Sequence, residues 1–226
     1  STPAGSAWPA ACAPPTPSKA NHGRLAPGPR NPSEVVANTT KRKEAKMAKQ
    51  AEEKYKTPLT NIVYMGMGEP LLNYRNVLDS IEKITSNEGL GMSPKRITVS
   101  TAGIAKMIKK LGDDEVKFNL ALSLHAANDE KRSKIMPINE QNSLATLKEA
   151  LIYFHERTST RVTFEYIIFK DFNDSLEDAR ELAEFCKVVP CKINIIEYNP
   201  IDDADFQKAD AKKTDEFARF LEDRYH

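Results

Sequence analysis

The sequence predicts an α/β fold in which parallel strands alternate with helical crossovers. Five short apolar runs rich in β-branched and aromatic residues recur along the chain, and each is followed by a helical pattern. Several of these runs are almost continuously apolar, as strands covered on both faces are. Repeated strand–helix alternation fits either an open doubly wound sheet or a (β/α) barrel. Periodicity does not separate the two.

Residues 1–31 stand apart from this pattern. They hold seven of the fourteen prolines, with Ala, Ser and Gly between them, and show no hydrophobic periodicity. Such a segment buries too little apolar area to offset its ordering entropy, so it is expected to be disordered. Residues 32–226 are expected to form one core domain. Residues 33–55 are rich in Ala and long charged side chains and read as helix.

The five strand candidates are Asn61–Met65, Arg96–Ser100, Phe118–Leu124, Val162–Phe169 and Lys192–Glu197. Between the third and fourth, Leu144, Leu147, Leu151 and Phe154 line one helical face, with Asn142 or Ser143 as cap. A further helix is expected from Ser175 to about Val188, with Asp174 and Glu177 spaced as a capping box. The stretch Lys212 to Arg224 closes the pattern, presenting Phe217, Phe220 and Leu221.

Composition bounds the function. At 226 residues the chain is long enough for one well-buried domain, and 29% charged residues is ordinary for a soluble protein. No run approaches the roughly 20 apolar residues of a membrane span, so no membrane partner is expected. Three cysteines make no disulfide framework, which favours a reducing cytoplasm. The net charge is +1, although residues 41–59 carry seven Lys/Arg against three Glu. Charge alone therefore does not argue for nucleic-acid binding, and the basic stretch reads as a solvated helix face before it reads as a phosphate-contacting stripe.

In either architecture, ligands bind at the carboxyl ends of parallel strands. The first strand runs into Met65-Gly66-Met67-Gly68-Glu69-Pro70. Its glycines admit close backbone approach, and Glu69 either receives a ligand ammonium group or is the exposed end of a tight turn. The second strand ends at Ser100, whose hydroxyl serves a ligand or caps the next helix. The third ends in Ser123-Leu124-His125, where the histidine is a base, a ligand contact or a structural group. The fifth ends in Tyr198-Asn199-Pro200, with Asn199 either a dual donor and acceptor or part of a turn. Polar residues gathered at one end of four strands point to a polar small-molecule site. No Cys-x-x-Cys, Walker A, G-x-S-x-G or G-x-G-x-x-G pattern occurs, and no catalytic nucleophile is identified.

Several runs resemble the hallmarks of the radical-SAM rRNA/tRNA adenine carbon-2 methyltransferases, the RlmN family. They are the run from Asn61 to Tyr74, Arg96 to Gly103, Leu122 to Asp129, Ile135 to Asn139, and Pro190 to Pro200, in the family's order. The resemblance covers about residues 58–226. It implies a partial radical-SAM (β/α) barrel, with Gly68, Glu69, Ser100, Ser123, Leu124, His125 and Asn199 at SAM-binding positions. It further implies S-adenosyl-L-methionine and a [4Fe-4S] cluster as cofactors, an electron donor for that cluster, 23S rRNA and tRNA as substrates, and a monomer.

This sequence departs from the family in its cysteines. The family's Cys-x-x-x-Cys-x-x-Cys cluster loop and first barrel strand would precede residue 33, and its methyl-carrying cysteine would follow His226. A further catalytic cysteine ahead of the cluster loop has no counterpart either. The five strands fit a six-stranded core without its first, and the chain is expected to be a catalytically inactive fragment. The alternatives are a non-catalytic SAM- or RNA-binding remnant, a methyltransferase acting at adenine carbon-8, and an unrelated α/β enzyme.

Overall fold

A computed structural model describes residues 47, 50–200 and 205–224. The Pro-rich segment 1–31, Cys12 and most of the 33–55 helix lie outside the described residues. Within that helix, residues 47 and 50–55 are helical.

Five strands form one sheet: β1 (Ile62–Tyr64), β2 (Ile97–Thr101), β3 (Asn119–Ser123), β4 (Val162–Ile168) and β5 (Cys191–Glu197). All neighbours pair in parallel, and the spatial order β1-β2-β3-β4-β5 follows the chain. That order decides between the two architectures left open by periodicity, in favour of the barrel that the resemblance implies. A doubly wound sheet reverses its strand order at a switch point, whereas an order without reversal sends every right-handed crossover to the same face. The sheet is therefore a barrel-type wall, helices outside and the other face inside.

The crossovers are α1 (Tyr74–Thr85), α2 (Ala105–Asp113), the pair α3 (Asp129–Ile135) and α4 (Leu144–Thr158), and α5 (Leu176–Cys186). The last helix, α6 (Ala211–Glu222), packs beside α5. Alternate strand residues supply the outer core: Ile97, Val99, Leu120, Leu122, Val162, Phe164 and Tyr166 are all fully buried. Phe164 meets Phe185 of α5 at 5.4 Å between ring centroids, and Tyr166 meets Phe217 of α6 at the same separation. Leu147, Leu151 and Phe154 are buried as their spacing predicts, and Ser143 accepts from Thr146 N to cap α4.

The cap of α5 sits one residue later than its sequence suggests. Ser175 accepts from Asp178 N and Asp178 accepts from Ser175 N, so the box is Ser175–Asp178 instead of Asp174–Glu177. Asp178 is itself buried and takes a 2.6 Å ion pair from Lys131 of α3. Ser175→Ala is expected to cost about 1 kcal/mol, measured as a lower urea midpoint with unchanged slope.

The inner face follows from the register. Thr98 and Ser100 of β2, Ser123 of β3, Thr163 and Glu165 of β4, and Lys192 and Asn194 of β5 share it. A wall with this many polar side chains is built for a polar occupant. At the β1 end, Val63 and Leu72 are 59% and 78% exposed.

Candidate functional site

The loop leaving β1 turns at Gly68, whose φ of +88° is a conformation that L side chains rarely adopt. This turn brings Glu69 back over the sheet. Its Oε1 accepts from Leu71 N at 3.0 Å, capping the 3-10 turn Pro70–Asn73, and its Oε2 accepts from Ala102 N at 2.7 Å. Glu69 is thus more than an exposed turn residue, since it joins the exit of β1 to the exit of β2. A carboxylate offers about four lone-pair sites, so two remain for a ligand donor.

Ser100 is buried on the inner face and does not cap a helix. Asn142 Oδ1 takes that role for α2 instead, accepting from Ala105 N at 2.9 Å. Ser123 lies on the same face, in register with Glu165, and Glu165 in turn with Asn194. Asn194 Nδ2 donates to Glu165 Oε2 at 2.7 Å, which orients this buried carboxylate. The sequence reading did not single out Glu165. Its signal was an acidic residue interrupting the apolar run Val162–Phe169.

His125 stands just past β3 with φ of +55°, uncommon for a residue other than glycine. Its conformation is held from three sides. His125 N donates to Glu165 O (3.2 Å), its carbonyl accepts from Asn173 Nδ2 (2.7 Å), and its Nδ1 accepts from Ile167 N (3.1 Å). Burial, and secondarily the Arg132 charge, press its pKa down to about 4. The ring is therefore neutral at neutral pH, and with Nδ1 occupied its proton sits on Nε2. Of the roles open in the sequence, general base falls away, because the only free nitrogen is a donor.

Two further residues hold the rim together, and sequence reasoning missed both. Arg132 of α3 is fully buried. Its Nη2 donates to Ala102 O (2.7 Å) and Ser123 O (3.3 Å), its Nε to Leu124 O (3.2 Å), and its Nη1 to Asn139 Oδ1 (2.7 Å). One guanidinium thereby ties the exits of β2 and β3. Asn173 is also fully buried: its Oδ1 accepts from Phe169 N and its Nδ2 donates to Ile167 O as well as to His125 O.

Leu124 is buried beneath the rim, and Asn199 is exposed at its edge after the buried Tyr198. Tyr198 packs against Phe169 with ring centroids 4.9 Å apart and the planes tilted by 54°. All seven sequence-selected residues lie at the carboxyl end of the sheet, on four different strand exits.

Among the described residues no group of three or more His, Cys, Asp or Glu is placed to hold a metal. Cys186 and Cys191 lie at the opposite end of the sheet from the rim. The described residues thus do not fit an iron–sulfur cluster, which needs convergent thiolates. They do fit a polar ligand carrying an ammonium group. No helix among the described residues is long and apolar enough to cross a membrane.

Comparison with known proteins places this geometry. The model of the radical SAM superfamily matches residues 32–186. A probable dual-specificity RNA methyltransferase RlmN of Cytophaga hutchinsonii is 64% identical over 174 residues, covering 77% of this chain and 48% of that protein. The corresponding protein of Christiangramia forsetii is 61% identical over 165 residues, covering 73% and 47%. The chain thus spans about half the length of the curated relatives it matches. Among solved structures, a radical SAM methyltransferase from Sphaerobacter thermophilus superposes with a TM-score of 0.75 at 36% identity, over 79% of this chain and 52% of that one.

Proposed function

The chain belongs to the radical SAM superfamily, whose enzymes use S-adenosylmethionine and a [4Fe-4S] cluster, and we propose that its polar rim is the S-adenosylmethionine-binding part of an RNA adenine methyltransferase. The observation that carries this reading is the convergence of Gly68, Glu69, Ser100, Ser123, His125 and Asn199 on one end of one sheet. The relatives named as dual-specificity RNA methyltransferases support the substrate class. The proposed target is carbon-2 of an adenine in 23S rRNA, and in tRNA as well.

Each residue has a task that its geometry allows. Gly68 lets the backbone approach the ligand. Glu69 keeps two lone-pair sites to receive the amino group of the methionine moiety, a charge-assisted contact. Ser100 and Ser123 offer hydroxyls from the inner face, His125 offers Nε2–H at the rim, Leu124 backs the site, and Asn199 supplies both donor and acceptor at the edge. When bound, S-adenosylmethionine supplies the methyl group and the adenosyl fragment. The described residues hold no ligand set for the cluster. We propose that the 226-residue chain by itself does not cleave S-adenosylmethionine; formation of 5′-deoxyadenosine by the reduced chain would refute this.

Glu69→Gln and Asn199→Ala test the site itself. Each is expected to weaken S-adenosylmethionine binding about tenfold, equivalent to roughly 1.4 kcal/mol, in titration calorimetry. Asn199 is exposed, so its replacement should leave the melting temperature in place. Unchanged affinity in both variants would reject the assignment.

A further inference from the structure

Two thiols sit at the end of the sheet away from the rim. Cys186 is the last residue of α5 and buried; Cys191 is the first residue of β5 and partly exposed. The turn between them is fixed at both ends. Val188 N donates to Phe185 O (3.3 Å), and Val162 N donates to Pro190 O (3.3 Å), which seats Cys191 opposite Val162 in the β4–β5 ladder.

Across this turn the two residues meet. Cys191 Sγ donates to Cys186 O at 3.5 Å, which holds the Cys191 sulfur against the last residue of α5. The neighbouring Cys186 thiol holds Cys191 below the usual thiol range, burial opposes it, and the Arg161 guanidinium adds to the lowering. Thiolate character and access together decide which cysteine is oxidised first. Cys191 has both. Cys186 is shielded and meets an oxidant only through its neighbour.

We propose that Cys191 and Cys186 are a modification site, a thiol pair that closes to an intramolecular disulfide under peroxide. The Cys191 thiolate attacks one oxygen of hydrogen peroxide; an S–O bond forms, the O–O bond breaks and hydroxide leaves. The Cys186 thiol then attacks the sulfur of this sulfenic acid and gives up its proton. An S–S bond forms, the S–O bond breaks, and the departing hydroxide leaves as water. In sum two thiols lose two electrons and two protons, and one peroxide becomes two waters. The disulfide ties the end of α5 to β5, an edge strand whose far end carries Tyr198 and Asn199.

The test uses the 226-residue chain with Cys12→Ser, treated with hydrogen peroxide, denatured and alkylated. Lys187 lies between the two cysteines, so trypsin separates them unless a disulfide joins their peptides. The expected product is one linked peptide pair, lighter than the two thiol peptides by two hydrogens and restored by dithiothreitol. In Cys186→Ser the expected product is a Cys191 sulfenic acid that dimedone traps. Amide hydrogen exchange at the start of β5 should slow on oxidation of the parent protein. Sulfinic acid at Cys191 with an unchanged Cys186 thiol would overturn the proposal, as would a disulfide found only between molecules or no reaction at all.

Discussion

Replacing Arg132 with methionine is expected to lower the unfolding free energy by about 3 to 5 kcal/mol. The guanidinium is fully buried and meets no carboxylate directly; its partners are three main-chain carbonyls and the Asn139 amide. Methionine refills most of the volume, so the loss reports the hydrogen bonds instead of a cavity. Ala102 O, Ser123 O and Asn139 Oδ1 lose this donor, while Leu124 O keeps Ala126 N at 2.7 Å, and each buried unsatisfied group costs on the order of 1–3 kcal/mol. Burial lowers the Arg132 pKa to about 10, so the group stays charged at neutral pH. Asn139 is coupled to the same loss, because its Nδ2 donates to Asp129 Oδ1 (2.9 Å), which also accepts from Leu144 N at the start of α4. Lysine would restore the charge but not the planar fork, and should recover only part of the stability. Urea unfolding reads the effect as a shifted midpoint. A loss below about 1 kcal/mol would show that solvent or a rearranged loop satisfies these carbonyls.

The strands were legible because each is an apolar run too short for a helix, and all five appear within a residue or two of their expected ends. The sheet's order was not, because which face a crossover takes is a tertiary property that leaves no mark on periodicity. The rim residues could be read from a rule of location: they follow strands at the ligand end. Arg132 could not. On a short helix of sequence Asp-Glu-Lys-Arg-Ser-Lys-Ile, a charged residue is ordinarily solvated, and only the third dimension brings Ala102 O and Leu124 O to it. The misplaced cap has a local cause. Asp174-Ser175 and Glu177-Asp178 offer the same spacing in two registers, and the buried Asp178 pairing with Lys131 fixes one of them. His125 was visible as a position but not as a chemical state, since its partner Ile167 N lies on the next strand, 42 residues away.

That state predicts a measurable acid sensitivity. His125 has a folded pKa of about 4, below the 6.5 of an unperturbed imidazole, with desolvation the larger cause. Between these values the unfolded chain binds the proton and the folded chain does not. Stability from this group is therefore complete above about pH 6.5 and is lost as the pH falls toward 4, in all about 3 kcal/mol. Carboxylates titrate in part of the same window, so the comparison must be with a variant that changes this group alone. His125→Asn serves: asparagine tolerates positive φ, and its Oδ1 can accept from Ile167 N where Nδ1 does now. Across the window the wild type should lose about 3 kcal/mol more unfolding free energy than the variant as the pH falls. Parallel curves would mean that the folded imidazole takes its proton without penalty. The Ile167 N–H bond to Nδ1 would then not be what holds the ring, and the neutral Nε2–H donor assigned to the rim would be withdrawn with it.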